Sequence, residues 1–347
     1  MNKSGCIQGI VVAYKEQFRG LLFRELRARW GELPVLCQAK GTAALLTDAY
    51  PQLAEDIRRN APPVFLQHLH PFSLDFPVTG KSADLSAMTA LLVQFAVHLD
   101  RSALWTVQGR VISSKSKSYV NSELTRHLAQ KLIQLGFTVA PQNPQKVLSV
   151  TVLEDTAFLG VSDLRDNISR WSGGVLFYQK SEETISRAAF KLEEAIESFQ
   201  IGLSQITSAV DLGAAPGGWT YFLSKKGIHV DAVDPARLDS LVTKSSLVHH
   251  YPMTAQAFAR RSTDKKYDLL VNDMKMDAVK SAEIILDLQR RLKPDGLVIC
   301  TLKLPEQGFV SKADKARRIL EPHFEILRVK HLYYNRSELT LYAQNPK

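Results

Sequence analysis

The chain has little cysteine. Cys6, Cys37 and Cys300 are its three cysteines, and they lie far apart. An odd, scattered set excludes a disulfide framework and a Cys-x-x-Cys metal pair, and it fits a reducing cytoplasm. Long apolar runs are missing too. Nothing approaches the roughly 18 consecutive apolar residues of a membrane-spanning helix. The opening MNKSGCIQGIVVAYKEQFRG holds a short apolar run broken by Tyr14, Lys15 and Glu16, with no small-residue cleavage site. It reads as a first strand rather than a signal peptide. No internal repeat or low-complexity segment stands out.

What is present suits a globular protein of two or three domains. The 347 residues are 45% hydrophobic, enough for a substantial core. Lys plus Arg is 44 and Asp plus Glu is 35, for a formal charge of +9. A basic balance favours a polyanionic partner through counterion release. It gains meaning only beside a catalytic motif, because many basic enzymes bind no nucleic acid.

A seam of paired glycines and polar residues, SGGVLFYQKSEE at 172–183, separates two differently patterned halves. In the second half, apolar strands alternate with helices. Strands are expected at 208–213, 228–234, in SLVHHYP, at 267–274 and at 296–304, then in FEILRVK and ELTLYAQ. Helices are expected at 219–226, over Ala278, Ala282, Ile285, Leu288 and Leu292, and over 312–321. This order implies an α/β fold with a mostly parallel seven-stranded sheet covered on both faces. The closing strand pair implies an antiparallel edge strand. The first half reads as smaller α/β units, with helices around 17–29 and 121–135 and a late strand KVLSVTVLED.

The chemistry gathers in the second half. DLGAAPGGWT, 211–220, follows a strand and opens a helix. Gly213, Gly217 and Gly218 let a ligand approach the backbone. Pro216 stiffens the turn, and the helix N-terminus offers free amides. Its Gly-x-x-x-Gly-Gly spacing is not the dinucleotide fingerprint. The plainer alternative is a tight strand–helix turn. Asp234 ends the next strand, where an acid binds ribose hydroxyls or caps a helix. Asp273 and Lys303 end the fourth and fifth strands, the ends beside which ligands bind in open sheets. A lysine in LVICTLKLP is unusual. Clustered with cations it could act as a base, although snorkelling from a strand end is the alternative. Lys191 in SRAAFKLEEA and Glu338 in NRSELTLY complete the constellation.

SRAAFKLEEA, DLGAAPGGWT, NDM, LKLP and RSELTLY resemble, in order and spacing, the motifs of the FtsJ-like RNA 2′-O-ribose methyltransferases. The resemblance covers about 184–347. It is nearest to the RlmM-type 23S rRNA cytidine 2′-O-methyltransferases. It implies a Rossmann-like class I methyltransferase domain using S-adenosyl-L-methionine. The cofactor residues would be Asp211, Gly213, Ala214, Pro216, Gly217, Gly218, Trp219, Asp234 and Asp273. It also implies a catalytic tetrad, Lys191, Asp273, Lys303 and Glu338, acting on a cytidine of 23S rRNA in the cytoplasm, with no metal. The first half resembles the THUMP RNA-binding domain. The implied organisation is a small α/β domain at 1–55, a THUMP-like domain at 56–165, a linker at 166–183 and the catalytic domain at 184–347. The family's usual Asp after the third strand is missing. There the chain reads YPMTAQAF, and Thr254 or Gln256 could supply an oxygen to adenine.

In this tetrad Lys303 would accept the proton of the ribose hydroxyl. Lys191 would depress its pKa by like-charge repulsion, while the two acids orient the ammonium groups. A nicotinamide-dependent oxidoreductase would need the absent glycine spacing. A non-catalytic RNA-binding protein shares the charge but leaves the tetrad unexplained; a differently targeted protein of the same fold, acting on tRNA for example, is the other alternative. A base-nitrogen methyltransferase would carry Asn/Asp-Pro-Pro-aromatic where this chain has NDMKMD. His68 and His70 could share a strand face and ligate a metal, but a surface pair is the simpler reading. The adjacent His249 and His250 would point opposite ways. SKSKS, 114–118, is either a phosphate contact or a solvated loop.

Overall fold

The computed structural model describes residues 6–140, 142–176, 178, 185–304 and 309–346. Most of the expected seam after 176, and Pro305 of LKLP, lie outside the described residues. The chain divides into two compact units, Met1–Val175 and Leu176–Lys347.

The first unit holds two sheets. β1 (Gly9–Ala13), α1 (Arg19–Trp30), β2 (Val35–Ala39), β3 (Thr42–Leu46), α2 (Tyr50–Asn60) and β4 (His68–Phe72) come first. They build an antiparallel sheet ordered β2-β3-β1-β4. β1 is central, and all five of its residues are buried. β5 (Leu74–Pro77), α3 (Ala83–Ala96), β6 (Leu104–Ile112), α4 (Asn121–Gln134), β7 (Thr138–Val139), β8 (Lys146–Leu153) and β9 (Thr156–Asp163) follow. Their sheet runs β5-β9-β8-β6-β7, with β6 parallel to β7 and β8 and the rest antiparallel. Val11, Ala44 and Phe72 of the first sheet share a core with Ile112, Leu153 and Phe158 of the second. The expected boundary after residue 55 falls inside α2, and the first sheet runs on to Phe72.

Two polar motifs are placed differently from expectation. His68 and His70 are no surface pair. β4 buries both, 2% and 3% exposed. His70 Nδ1 lies 2.9 Å from the Pro71 carbonyl and Nε2 2.9 Å from the Thr151 hydroxyl. The carbonyl can only accept, so Nδ1 donates and Nε2 accepts from Thr151. Burial pushes the ring's pKa down to about 4. The SKSKS lysines are also occupied: Lys115 and Lys117 both pair with Asp155 in the β8–β9 turn, and the Lys117 side chain is 4% exposed.

The second unit contains α5 (Ala188–Phe199), β10 (Ser208–Leu212), α6 (Gly218–Lys225), β11 (His229–Val233), α7 (Ser240–Thr243), β12 (Val248–Tyr251) and α8 (Ala255–Ala259). β13 (Tyr267–Asn272), α9 (Ala278–Gln289), β14 (Leu292–Lys303), α10 (Phe309–Leu320), β15 (Glu325–Lys330) and β16 (Glu338–Gln344) complete it. The sheet is seven-stranded, ordered β12-β11-β10-β13-β14-β16-β15. Strand side chains alternate between faces, and both faces are apolar. Val210, Leu212, Leu270, Val298 and Cys300 join the core with α8, α9 and α10. Ala209, Leu269, Val271 and Ile299 join the core with α5 and α6.

Two details depart from the sequence reading. Leu292 belongs to β14, not to the helix before it: α9 stops at Gln289, and Leu292 pairs with Tyr267. The antiparallel strand is not the edge. The short 331–337 connection forces β15 and β16 to pair antiparallel, and β16 returns into the gap beside β14, leaving β15 outermost. The strand order reverses between β10 and β13. Such a switch point, at the carboxyl ends of the strands, is where open α/β sheets bind ligands.

Candidate active site

The expected tetrad comes together from four elements. Strand alternation puts Ile299, Thr301 and Lys303 on one face of β14, the face that α5 covers. Leu192, Ala195 and Phe199 seat α5 there, and Lys191 rides in its first turn. Glu338 begins β16 directly opposite Lys303 in the antiparallel register. Asp273 follows β13. The preceding Asn272, fully buried, fixes that turn: its amide donates to Ser281 Oγ at 2.8 Å, and its Oδ1 accepts from Met274 N at 3.0 Å.

The four side chains close a ring of alternating charge. Lys303 Nζ is 2.6 Å from Asp273 Oδ1 and 2.8 Å from Glu338 Oε2. Lys191 Nζ is 3.1 Å from Asp273 Oδ2 and 2.7 Å from Glu338 Oε1. Two cations and two anions cancel. Each lysine thus sits between two carboxylates. Burial disfavours the Lys191 ammonium, but Asp273 and Glu338 outweigh it and the pKa is raised. Burial likewise favours a neutral Glu338, yet Lys303 and Lys191 hold it below the ordinary carboxylate range. The charges acting on Lys191 are therefore the two acids.

The ring opens on a cavity of about 610 Å³. Lys191, Lys303 and Glu338 form part of its wall, Tyr334 another part, and the exposed Arg187, Lys275 and Arg336 give it a cationic rim. Sequence reasoning missed several contributors, the rim cations Arg187 and Lys275 among them. Thr301 donates to Asp273 Oδ1 at 2.7 Å. Its signal was a polar residue two positions before Lys303, hence on the same face. Tyr334 and Arg336 reach the cavity through the 331–337 connection, whose path no local pattern reveals.

The glycine turn lies at the switch point. Gly213 has φ +74°, and a Cβ there would stand 2.4 Å from Met274 Cγ, so only glycine lets the turn pass the segment after β13. Gly217, also left-handed, precedes α6, which begins at Gly218. The Ala215–Pro216 bond is cis. Asp234 stitches this turn to β11: its Oδ2 accepts from Ala215 N at 3.1 Å and its Oδ1 from Ala236 N at 2.7 Å. Asp211 is 2% exposed and accepts from Thr220 Oγ1 at 2.6 Å. Burial pushes its pKa up to about 7; Asp273 and Asp234 add to the rise, and Thr220 opposes it. The Trp219 indole points into the core, its Nε1 donating to the Ala188 carbonyl at 2.6 Å. That bond ties the start of α6 to α5, the helix bearing Lys191. Thr254 spends its hydroxyl oxygen capping α8, accepting from Ala257 N, while Gln256 is exposed. Among the described residues no group of three metal-ligating side chains occurs, and no helix is long and apolar enough to cross a membrane.

A doubly covered, mostly parallel sheet with a glycine turn at its switch point and a Lys-Asp-Lys-Glu ring beside it defines a Rossmann-like methyltransferase. Residues 184–328 match the FtsJ-like methyltransferase family. Three similar proteins carry the name Ribosomal RNA large subunit methyltransferase M. The one from Psychromonas ingrahamii is 30% identical, with 64% of each chain covered. The one from Methylococcus capsulatus is 31% identical with 76% of each covered, and the one from Xanthomonas oryzae pv. oryzae 31% with 68% of each. The chain belongs to the Ribosomal RNA large subunit methyltransferase M family, with an FtsJ-like catalytic domain.

Proposed function

We propose that this protein is an S-adenosylmethionine-dependent methyltransferase that modifies the 2′-hydroxyl of a cytidine ribose in 23S rRNA. The closed Lys191–Asp273–Lys303–Glu338 ring on an open, cation-rimmed cavity carries this reading. The donor set beside the turn fits the cofactor. Asp211, Asp234 and Asp273 are acceptors for an ammonium and a ribose diol, and the start of α6 suits a carboxylate. S-adenosylmethionine, when bound, supplies an electrophilic methyl group on a positively charged sulfur.

The chain's own residues supply the rest. Lys303, at the end of β14, takes the hydroxyl proton on Nζ after losing one of its own. Asp273 and Glu338 hold that nitrogen from two sides, so its free electron pair has one direction left, toward the cavity. Thr301 fixes Asp273. Lys191 stays protonated and balances the acids, leaving the substrate proton to Lys303. Arg187, Lys275 and Arg336 suit the phosphates flanking the target nucleotide, contacts that position without reading sequence. Alignment of hydroxyl and methyl group supplies much of the acceleration. The first unit, with its THUMP-like pattern, engages the RNA.

The test is chemical. Methyl-labelled S-adenosylmethionine is incubated with the enzyme and 23S rRNA from a strain lacking the gene, and the RNA is hydrolysed in alkali. A 2′-O-methyl group removes the internal nucleophile that cleaves the chain. Label should therefore remain in alkali-resistant dinucleotides containing methylated cytidine. Label in base-methylated mononucleotides would refute the ribose assignment.

A further inference from the structure

We propose that Tyr334 is the platform on which the target nucleobase stacks while its ribose lies at the lysine–carboxylate ring. The inference rests on the ribose-methyltransferase reading and extends it to the base. Tyr334 lines the same cavity as Lys191, Lys303 and Glu338, and among the described lining residues it alone is aromatic. The cavity, about 610 Å³, falls within the roughly 300–1,000 Å³ of small-ligand sites and has room for one nucleotide. Methylation of a ribose hydroxyl inside folded RNA requires that nucleotide to leave its stack, and the enzyme must offer the base another π surface.

The ring is built to stay still. Its hydroxyl donates to the Leu176 carbonyl at 3.2 Å and accepts from Tyr178 N at 3.3 Å. Its backbone N–H donates to Glu194 Oε2 at 2.8 Å, and Glu194 Oε1 accepts from Tyr333 N at 2.6 Å. Glu194 is 3% exposed, one turn along α5 from Lys191. Tyr178 stacks with the ring at 5.5 Å and 23°, and Phe190 lies against it at 5.3 Å. A tyrosine only filling a gap needs no such set of anchors. An immobile ring, half-buried at a cavity wall, loses little entropy when a base settles on it. Cationic neighbours at the rim complete the usual pairing of π surface and positive charge in single-strand recognition.

Two readouts test the proposal on the full-length enzyme. In the first, kcat/KM is measured on 23S rRNA lacking the modification, beside cofactor Kd and thermal midpoint. Tyr334→Phe should stay within about twofold of wild type, and Tyr334→Leu should lose about ten- to a hundredfold, with cofactor affinity unchanged in both. In the second, saturation-transfer NMR follows cytidine 5′-monophosphate. Its base protons should receive saturation from wild type, Tyr334→Phe and Lys303→Ala, but not from Tyr334→Leu. A Tyr334→Leu enzyme equal to wild type in either readout overturns the proposal. So does a Tyr334→Phe enzyme as damaged as Tyr334→Leu, because then the hydroxyl's anchoring of the loop is what counts. If wild type transfers no methyl group to RNA, the functional reading fails, and the nucleotide arm still judges the tyrosine.

Discussion

The two units bury ionisable side chains in contrasting ways. In the first, His70 lies under a sheet with a carbonyl and a hydroxyl as its partners, and burial strips it of charge. In the second, Lys191 is half-buried and Glu338 buried, but opposite charges favour the ionised form of both. Burial alone therefore does not mark a reactive centre. The histidine is neutral, satisfied and sealed. The ring is ion-paired within itself and opens on a cavity, so a substrate can reach it. The first arrangement serves stability, and the second holds its charges ready for chemistry at some cost in desolvation.

This contrast can be broken at its strongest point first. Asp273→Asn removes the carboxylate that Lys191, Lys303 and Thr301 all address. It leaves two lysines sharing one acid. Methyl transfer should fall by about two to four orders of magnitude, as for loss of organised acid–base catalysis. Single-turnover assays would check this, and a loss under tenfold would mean that the ring does not act as a unit.

The first unit should respond to acid instead. The folded pKa of His70, about 4, lies below the ordinary 6.5, so the unfolded chain takes up the proton first. The stabilisation is complete above pH 6.5 and is lost as pH falls toward 4, by up to about 3 kcal/mol. Chemical denaturation of the full chain, followed by a probe in the first unit, should show this decline. A His70→Gln variant should flatten it. An equal slope in both proteins would exclude His70 as its source.

The smallest effect is expected at Trp219. Trp219→Phe keeps the core ring and deletes the bond to Ala188. Stability should drop by about 1 kcal/mol, because a partly buried hydrogen bond between α6 and α5 is lost. Urea titration would measure it. An unchanged midpoint would mean that water replaces the indole.

Much of the second unit was legible because its strands are continuous apolar runs bounded by turns, and such runs tell a buried parallel sheet directly. The four ring residues were legible because each stands at a motif or strand end. Other parts were not. TALLVQFAVHL has apolar residues on every side, so its periodicity does not separate helix from strand; most of it belongs to α3. HLHPF looks exposed by its histidines, yet pairing with β1 and packing beneath the second sheet bury it. The insertion of β16 beside β14 depends on a crossover by α10, a long-range choice that local pattern does not encode. Thr301 was readable in principle from alternation. Tyr334 and Arg336 were not, because the fold of the 331–337 connection brings them to the cavity. The acids beside Lys191 outweigh its burial and raise its pKa, a balance that depends on the fold bringing both to it.

The central claim is that Lys303 takes the substrate proton, and substitution by arginine tests it most directly. Arginine preserves the positive charge and can still pair with Asp273 and Glu338, but a guanidinium does not give up its proton near neutral pH. Single-turnover rates at saturating S-adenosylmethionine would be compared for wild type, Lys303→Ala and Lys303→Arg on 23S rRNA lacking the modification. Cofactor affinity would be measured alongside, since a transition-state role leaves it intact. Both variants should bind the cofactor nearly normally and lose at least about a hundredfold in rate. Near-normal turnover by Lys303→Arg would contradict the account and leave Lys303 with an electrostatic role alone.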